Sequence, residues 1–420
     1  MLCQLEATHI AFMQEWFGFG LVALAALMIG LVLGQRQSPS KIGGVLMLGI
    51  LLRILGSNLR LTVMEEVYAG VGDAKMYIAF GKLYADRLQN LDLSFAFGAD
   101  SPTGRWWGTQ FIKSVTAFVV FFTGDSIRAA FLVFALLSFA GLVLTAKAVR
   151  EVAGPEAELT YARWVWLWPS LWFWPCSVGK EALMLLSAGL VARGYVGTAG
   201  RSHWATLASG LVLAASIRPH VAAVMACGVL FAEMTRPGRL LAPRRLAGLA
   251  LAGLIAAFSV NAGLDQLGLG DADLEGIQEQ FEFRSGQTAQ GGSQIERVSG
   301  PAAVPMAFVT ILLRPFPWEA RGAAALSAAE IWLFWLMVVR RRHELREALS
   351  EWRSDPFIRL AIPLVAGISL MYGLAFANLG IIARQRAVVL PFLLLLLAIR
   401  PQRLREGAAL WPPQVARSTA

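Results

Sequence analysis

Five short clusters in this strongly apolar sequence hold charged side chains that could do chemistry. Asp73 stands in Gly72-Asp73-Ala74 with Tyr77 one turn on, at the start of a helix-compatible stretch. Its carboxylate suits a helix cap or, shielded from bulk water by neighbouring protein, a general base that takes a proton from a hydroxyl. Lys180-Glu181 follows Gly179 and the aromatic run 168–174. The pair could mark a tight turn beside an interfacial aromatic belt. It could also bring Glu181 to the cavity of Asp73 as a metal ligand, a substrate contact or an orienting partner.

Three further clusters are cationic: Arg218-Pro219-His220, the segment from Arg314 to Glu319, and Arg384-Gln385-Arg386. Proline at a first helical turn explains Pro219 but not the arginine before it. Guanidinium groups match phosphate through two-point hydrogen bonds, and near lipid such pairs are weakly screened. Arg218, His220, Arg314, Glu319, Arg384 and Arg386 are therefore expected, with Tyr77 and Lys180, to line a substrate site. Four histidines without ligand spacing give no expectation of a zinc site, while a divalent cation such as Mg2+ or Mn2+ stays open as a cofactor. The sequence has no phosphate-binding loop, dinucleotide fingerprint or serine elbow.

The elements that must position these residues are membrane helices. Over 420 residues the chain is 56% hydrophobic and 15% charged, with a mean hydropathy of +0.57. That is more apolar surface than one water-soluble core buries. Eleven runs are candidates to cross: 16–33, 43–59, 129–146, 164–178, 182–196, 204–217, 221–234, 246–260, 323–339, 357–377 and 387–399. The first follows Glu15 without a basic leader, so it is expected to persist as a span. Runs 106–122 and 304–313 are assigned by charge to interfacial or re-entrant pieces.

With that assignment about 21 of the 37 Lys and Arg fall in short segments on one side, including Arg340 to Arg342 and the Arg236 to Arg245 group. By the positive-inside rule this side is cytoplasmic. The opposite side receives about 18 of the 28 acidic residues, mostly in two outer loops, 61–127 and 261–322. The expected fold is an all-α polytopic bundle forming a single integral membrane domain over 1–420, in the inner (plasma) membrane, N-terminus outside and C-terminus cytoplasmic. Net charge +9 thus reflects orientation, and no nucleic-acid partner is expected. The Gly- and Gln-rich stretch 285–293 reads as a loop tip, and Arg53, mid-span, as a structurally paired residue.

An apolar span, an outer loop with Asp73 in Gly-Asp-Ala and Tyr77 after it, Ser101-Pro102 before an interfacial helix ending at Gly124, Arg128 opening a span, Pro169 in the next and an acidic residue beyond resemble the C-type superfamily of membrane glycosyltransferases. The likeness covers about residues 43 to 235. It departs from the commoner pattern in having Lys180-Glu181 at the second acidic position and an extra span, 16–33, ahead of the core. The resemblance implies transfer of a sugar from a polyprenyl-phosphate carrier to a glycan or lipid acceptor on the outer face. Asp73 would take the acceptor proton and Glu181 would hold the second acidic place.

A lipid phosphate leaves without a strong general acid, so one base, a cationic clamp and a groove for the carrier suffice, and inversion is the expected course. Two other classes share the many-span outline. One is an extracellular-polysaccharide or O-antigen polymerase using a pyrophosphate-linked oligosaccharide, with the acidic stretch 265–282 on its acceptor side. The other is a lipid or glycan transporter that makes no bond, against which the spans carry little charge and no broken-helix pair repeats.

Overall fold

The computed structural model describes residues 2–36, 41–67, 72–197, 203–238, 243–267, 294–296, 300–320 and 324–398. The loop tip 285–293, nearly all of the acidic stretch 265–282 and the C-terminal tail lie outside the described residues. Among them the chain is helical, with one isolated bridge between Gln294 and Asn378. Five helical stretches are long and apolar enough to cross a membrane: Phe12–Gln35, Ile42–Val67, Ile127–Leu167, Arg245–Asp265 and Pro356–Ala375. A bent pair, Leu379–Arg386 and Leu390–Ala398 at 59°, makes a sixth if it is one span. The other apolar runs read from the sequence form shorter helices.

Helix α1 (Leu2–Arg36) packs on α2 (Ile42–Thr62) and on α5 (Ile127–Leu167). The start of α5 is fixed twice. Ser126 accepts from the Ala129 amide, and Glu15 of α1 accepts from the amides of Ile127 and Arg128 at 3.0 and 3.2 Å. Helix termini leave such amides without intrahelical partners, so a carboxylate from another helix satisfies them and locks α1 to α5. The single stretch Ile127–Leu167 is two helices joined at Gly154, whose φ of +81° only glycine adopts readily, followed by Pro155. After this reversal Trp166 returns to donate to the Leu142 carbonyl at 3.1 Å.

The expected run 164–178 is divided by Pro169. Its ring forces Trp168 into an extended conformation, so α5 ends at Leu167 and a short α6 (Pro169–Phe173) follows. Then come α7 (Lys180–Gly197), α8 (Trp204–Ile217), α9 (Pro219–Met234) and α10 (Pro243–Leu267). Between α8 and α9 the only non-helical residue is Arg218, extended because Pro219 follows it. Backbones approach closely where α5 crosses α7: a Cβ on Gly189 would lie 2.1 Å from the Gly141 carbonyl oxygen. Helices buried in one another without a hydrophobic driving force between them rely on such contacts. Arg53, fully buried in α2, donates to the Trp166 carbonyl at 2.9 Å and lies 4.6 Å from the Phe139 ring centroid.

The helices run alternately between two ends of the bundle. At one end Gly108 donates to the Ser216 carbonyl and Arg128 donates to Asn58. At the other, Arg150 meets Glu158, Arg245 donates to the Met234 carbonyl and Arg359 donates to the Tyr195 hydroxyl. Across the first end lie α3 (Asp73–Gln89) and α4 (Thr109–Thr123), packed on each other. One end of α4 meets the start of α7 through Thr109 and Lys180, and the other meets Gly18 of α1 at the Thr123 carbonyl. At 15 residues, or roughly 22 Å, α4 therefore lies over the bundle rather than through it.

Beyond α10 come α11 (Ala303–Leu312), α12 (Ala324–Arg340), α13 (Arg342–Ser350), α14 (Pro356–Ala375), α15 (Leu379–Arg386) and α16 (Leu390–Ala398). Asp355 caps α14 by accepting from Phe357 and Ile358, and Asn378 caps α15 by accepting from Gly380 and Ile381. The Arg384-Gln385-Arg386 triplet is thus the last turn of a short capped helix, ahead of the bend into α16.

Candidate functional site

Four segments meet where α3, α7, the α8–α9 break and α15 come together. At the centre is Glu181, in the first turn of α7 and 6% exposed. Its Oε1 accepts from Arg218 Nη2 at 2.9 Å and from Gln385 Nε2 at 3.1 Å, and Arg384 Nε lies 3.1 Å away. Arg218 Nη1 also donates to the Tyr372 hydroxyl at 3.0 Å and to Gln385 Oε1. Glu181, Arg218 and Gln385 therefore close a ring in which the amide of Gln385 has one possible orientation. A carboxylate with this many charged and polar donors serves to hold the arginines.

Asp73 opens α3, one residue after the cap Gly72, and no side-chain capping bond is made there. Its carboxylate is 62% exposed, not shielded as the sequence suggested, and lies 3.8 Å from Arg384 Nη2. Arg384 stands between the two acids, with its own side chain 31% exposed. Tyr77, a turn further along α3, is buried and hydrogen-bonded to Thr109. Burial, reinforced by the negative charges of Asp73 and Glu181, pushes its phenol above the usual tyrosine range, so it stays protonated. Lys180 Nζ donates to the same Thr109 hydroxyl at 3.2 Å. Among the described residues no carboxylate lies within ion-pair distance of Lys180.

The remaining expected residues stand apart from this group. Arg386 Nε donates to the Ile311 carbonyl at 2.6 Å, and its Nη2 donates to that of Arg314, so its charge is turned into the backbone at the end of α11. Residues two apart on a helix differ by about 200°, so Arg384 and Arg386 cannot both face Glu181. Arg314 pairs with Glu319 at 3.0 Å, and Glu319 also accepts from the Phe316 amide. His220 sits in the first turn of α9, its backbone against Gly263 of α10.

Gln385, Tyr372 and Thr109 belong to the site and were not read from the sequence. Gln385 had a signal, since it lies between two arginines already singled out; Tyr372 and Thr109 had none beyond being polar in apolar runs. Among the described residues no three His, Cys, Asp or Glu side chains are grouped to hold a metal ion. Asp73 and Glu181 share Arg384, and a divalent ion between them would have to displace that guanidinium, so the residues present do not fit a metal seat. No protein-family model matches the chain, and neither a curated protein nor a solved structure does.

Proposed function

We propose that this chain is a polytopic membrane glycosyltransferase that moves a sugar from a polyprenyl-phosphate carrier to a glycan or lipid acceptor on the extracytoplasmic face. The observation that carries the reading is the meeting of Asp73, Glu181, Arg218 and Arg384, from four distant segments, at one end of an apolar bundle. An exposed carboxylate beside a cation that a buried acid holds in place suits a reaction in which a hydroxyl loses a proton while a phosphate leaves.

In this reading Asp73 takes the acceptor hydroxyl proton as its oxygen bonds to the anomeric carbon. The bond from that carbon to the phosphate oxygen breaks, and its electron pair leaves on the phosphate, stabilised by fixed cations. One base and a single displacement invert the anomeric centre. Glu181 is not free to move a proton, so its role is to position Arg218 and Arg384.

Orientation follows from charge. The end opposite the site gathers Arg150, Arg193, Arg236, Arg245, Arg341 and Arg359, which by the positive-inside rule supports a cytoplasmic placement of that end and an extracytoplasmic site. Eleven passages follow if the two halves of Ile127–Leu167, the latter with α6, are counted separately, the shorter helices α7 to α9 and α12 cross within the bundle, and α15 with α16 makes one bent passage. The N-terminus is then outside, the C-terminus cytoplasmic, and α3, α4 and α11 belong to the two outer loops.

The test is transfer by purified protein in nanodiscs, using labelled polyprenyl-phosphate sugars and a lipid-extract acceptor. Labelled product that requires the carrier-linked donor is the expected result. Product formed only from pyrophosphate-linked oligosaccharide, or movement of the lipid with no new glycosidic bond, rejects it. Cysteine labelling that puts positions 73 and 218 on opposite sides of the membrane also rejects it.

A further inference from the structure

The three cations of the site are not equivalent. Arg218 is 9% exposed, and both of its terminal nitrogens are turned inward, to Glu181, Tyr372 and Gln385. Arg384 is shared between Glu181 and Asp73 and keeps an open edge. Lys180 is half-buried and, among the described residues, donates to the Thr109 hydroxyl and to no carboxylate. An ammonium group in that setting has given up water without gaining a carboxylate, which favours binding of an anion.

Charge counting narrows the anion. Arg218 and Arg384 pair with Glu181 and Asp73, and Lys180 lies within electrostatic reach of both acids and both arginines without pairing, which leaves one positive charge in the group. Among the described residues the charges around the group do not alter this: Arg314 and Glu319 neutralise each other, and Arg386, directed into the Ile311 and Arg314 carbonyls, has the negative charge of Glu330 acting on it. The buried Tyr77 phenol, on the same threonine as Lys180, is a neutral donor.

We infer that Lys180 and Arg384 form the seat of a lipid phosphodiester carrying one negative charge, with Arg218 a positioning residue that does not touch it. What the diester is attached to rests on the glycosyltransferase reading, and the seat rests on the geometry alone. A sugar on a monophosphate carrier has one ionised oxygen at neutral pH and matches the single leftover charge. A pyrophosphate-linked sugar has two and would leave one uncompensated.

The experiment measures binding to the full-length protein in nanodiscs of zwitterionic lipid. The probes are a prenyl methyl phosphodiester, the corresponding prenyl methyl pyrophosphate, the neutral prenol and inorganic phosphate. The wild type is expected to bind the phosphodiester about tenfold or more tighter than the prenol, and the pyrophosphate no tighter than the phosphodiester. Lys180→Gln should lose most of that preference, while Lys180→Arg keeps it with an unchanged melting profile. Asp73→Asn, which adds a net positive charge, should move selectivity towards the pyrophosphate.

Wild-type affinity in Lys180→Gln, or a wild-type preference for the pyrophosphate, overturns the seat. Inorganic phosphate competing as well as the lipid diester overturns the lipid assignment. Phosphodiester binding as described in a protein that transfers no sugar supports the seat and removes the enzymatic reading. Sugar transfer with binding indifferent to Lys180 removes the seat and leaves that reading.

Discussion

Two charged hubs lie at the same end of the molecule and are built in opposite senses. At the first, one acid, Glu181, holds two arginines and a glutamine, and its side chain is 7% exposed. At the second, one base, Arg87, holds Asp92 at 2.8 Å, Asp100 at 2.6 Å and the Ser94 hydroxyl at 2.6 Å, all in contact with water. The second hub folds the turn after α3 over Tyr84 and Phe95, whose rings stack at 4.6 Å. The comparison teaches that ionic geometry does not rank the two. Removing an acid from among buried cations strands them away from water, whereas the exposed hub can exchange its partners for solvent.

The largest expected effect sharpens a division inside the first hub, between an exposed acid proposed to react and a buried acid that organises. Asp73→Asn should leave the protein folded and inserted, since its carboxylate is largely exposed, while glycan product falls by about 10²- to 10⁴-fold. Transfer at the wild-type rate would take Asp73 out of the mechanism. Glu181→Ala should act on the fold, destabilising it by about 3–5 kcal/mol because Arg218 and Arg384 lose their common partner. A wild-type unfolding profile in mild detergent would erase the distinction between the hubs.

A smaller effect comes from Gln385, which bridges Arg218 and Glu181 without a charge of its own. Gln385→Ala leaves a buried donor and acceptor unmatched, at about 1–3 kcal/mol. Gln385→Glu should be worse, because it sets a second carboxylate against Glu181. If the two variants unfold alike, the amide is not oriented as the ring requires.

Much of this was legible in the chain because the bilayer leaves few choices. Apolar runs separated by basic segments fixed the helical class, and charge without a topological purpose pointed to Asp73, Glu181, Arg218 and Arg384. What could not be read was the direction each side chain takes. Arg218 looked like a ligand for phosphate and is turned to Glu181, Tyr372 and Gln385; Lys180, which could mark a turn or line a substrate site, has among the described residues no carboxylate within ion-pair distance. Arg386 is two residues along a helix from Arg384, nearly the opposite face, and so does not share the surface that meets Glu181. Tyr372 and Thr109 enter through packing between segments far apart in sequence. The run 164–178 also overstated uniformity, because proline at 169 divides it into the end of α5 and the short helix α6, whereas Gly154 breaks the chain between two runs, in the segment expected to connect them.

The smallest effect belongs to the exposed hub and separates it from the buried one by pH. Hydrogen bonds from the Ser94 hydroxyl and amide, and then the Arg87 guanidinium, hold the Asp92 carboxyl down at about 2. A group whose folded pKa lies below its unfolded value contributes stability above the unfolded value, near 3.8, and loses it as pH falls through the folded one. Between about pH 4 and pH 2 the turn from Arg87 to Asp100 should therefore lose protection in hydrogen exchange while the helices of the bundle keep theirs. Asp92→Asn should show the loosened turn already at neutral pH, with little change in global unfolding. If that variant instead unfolds the bundle as Glu181→Ala is expected to, the two hubs are one cooperative unit and burial does not set them apart.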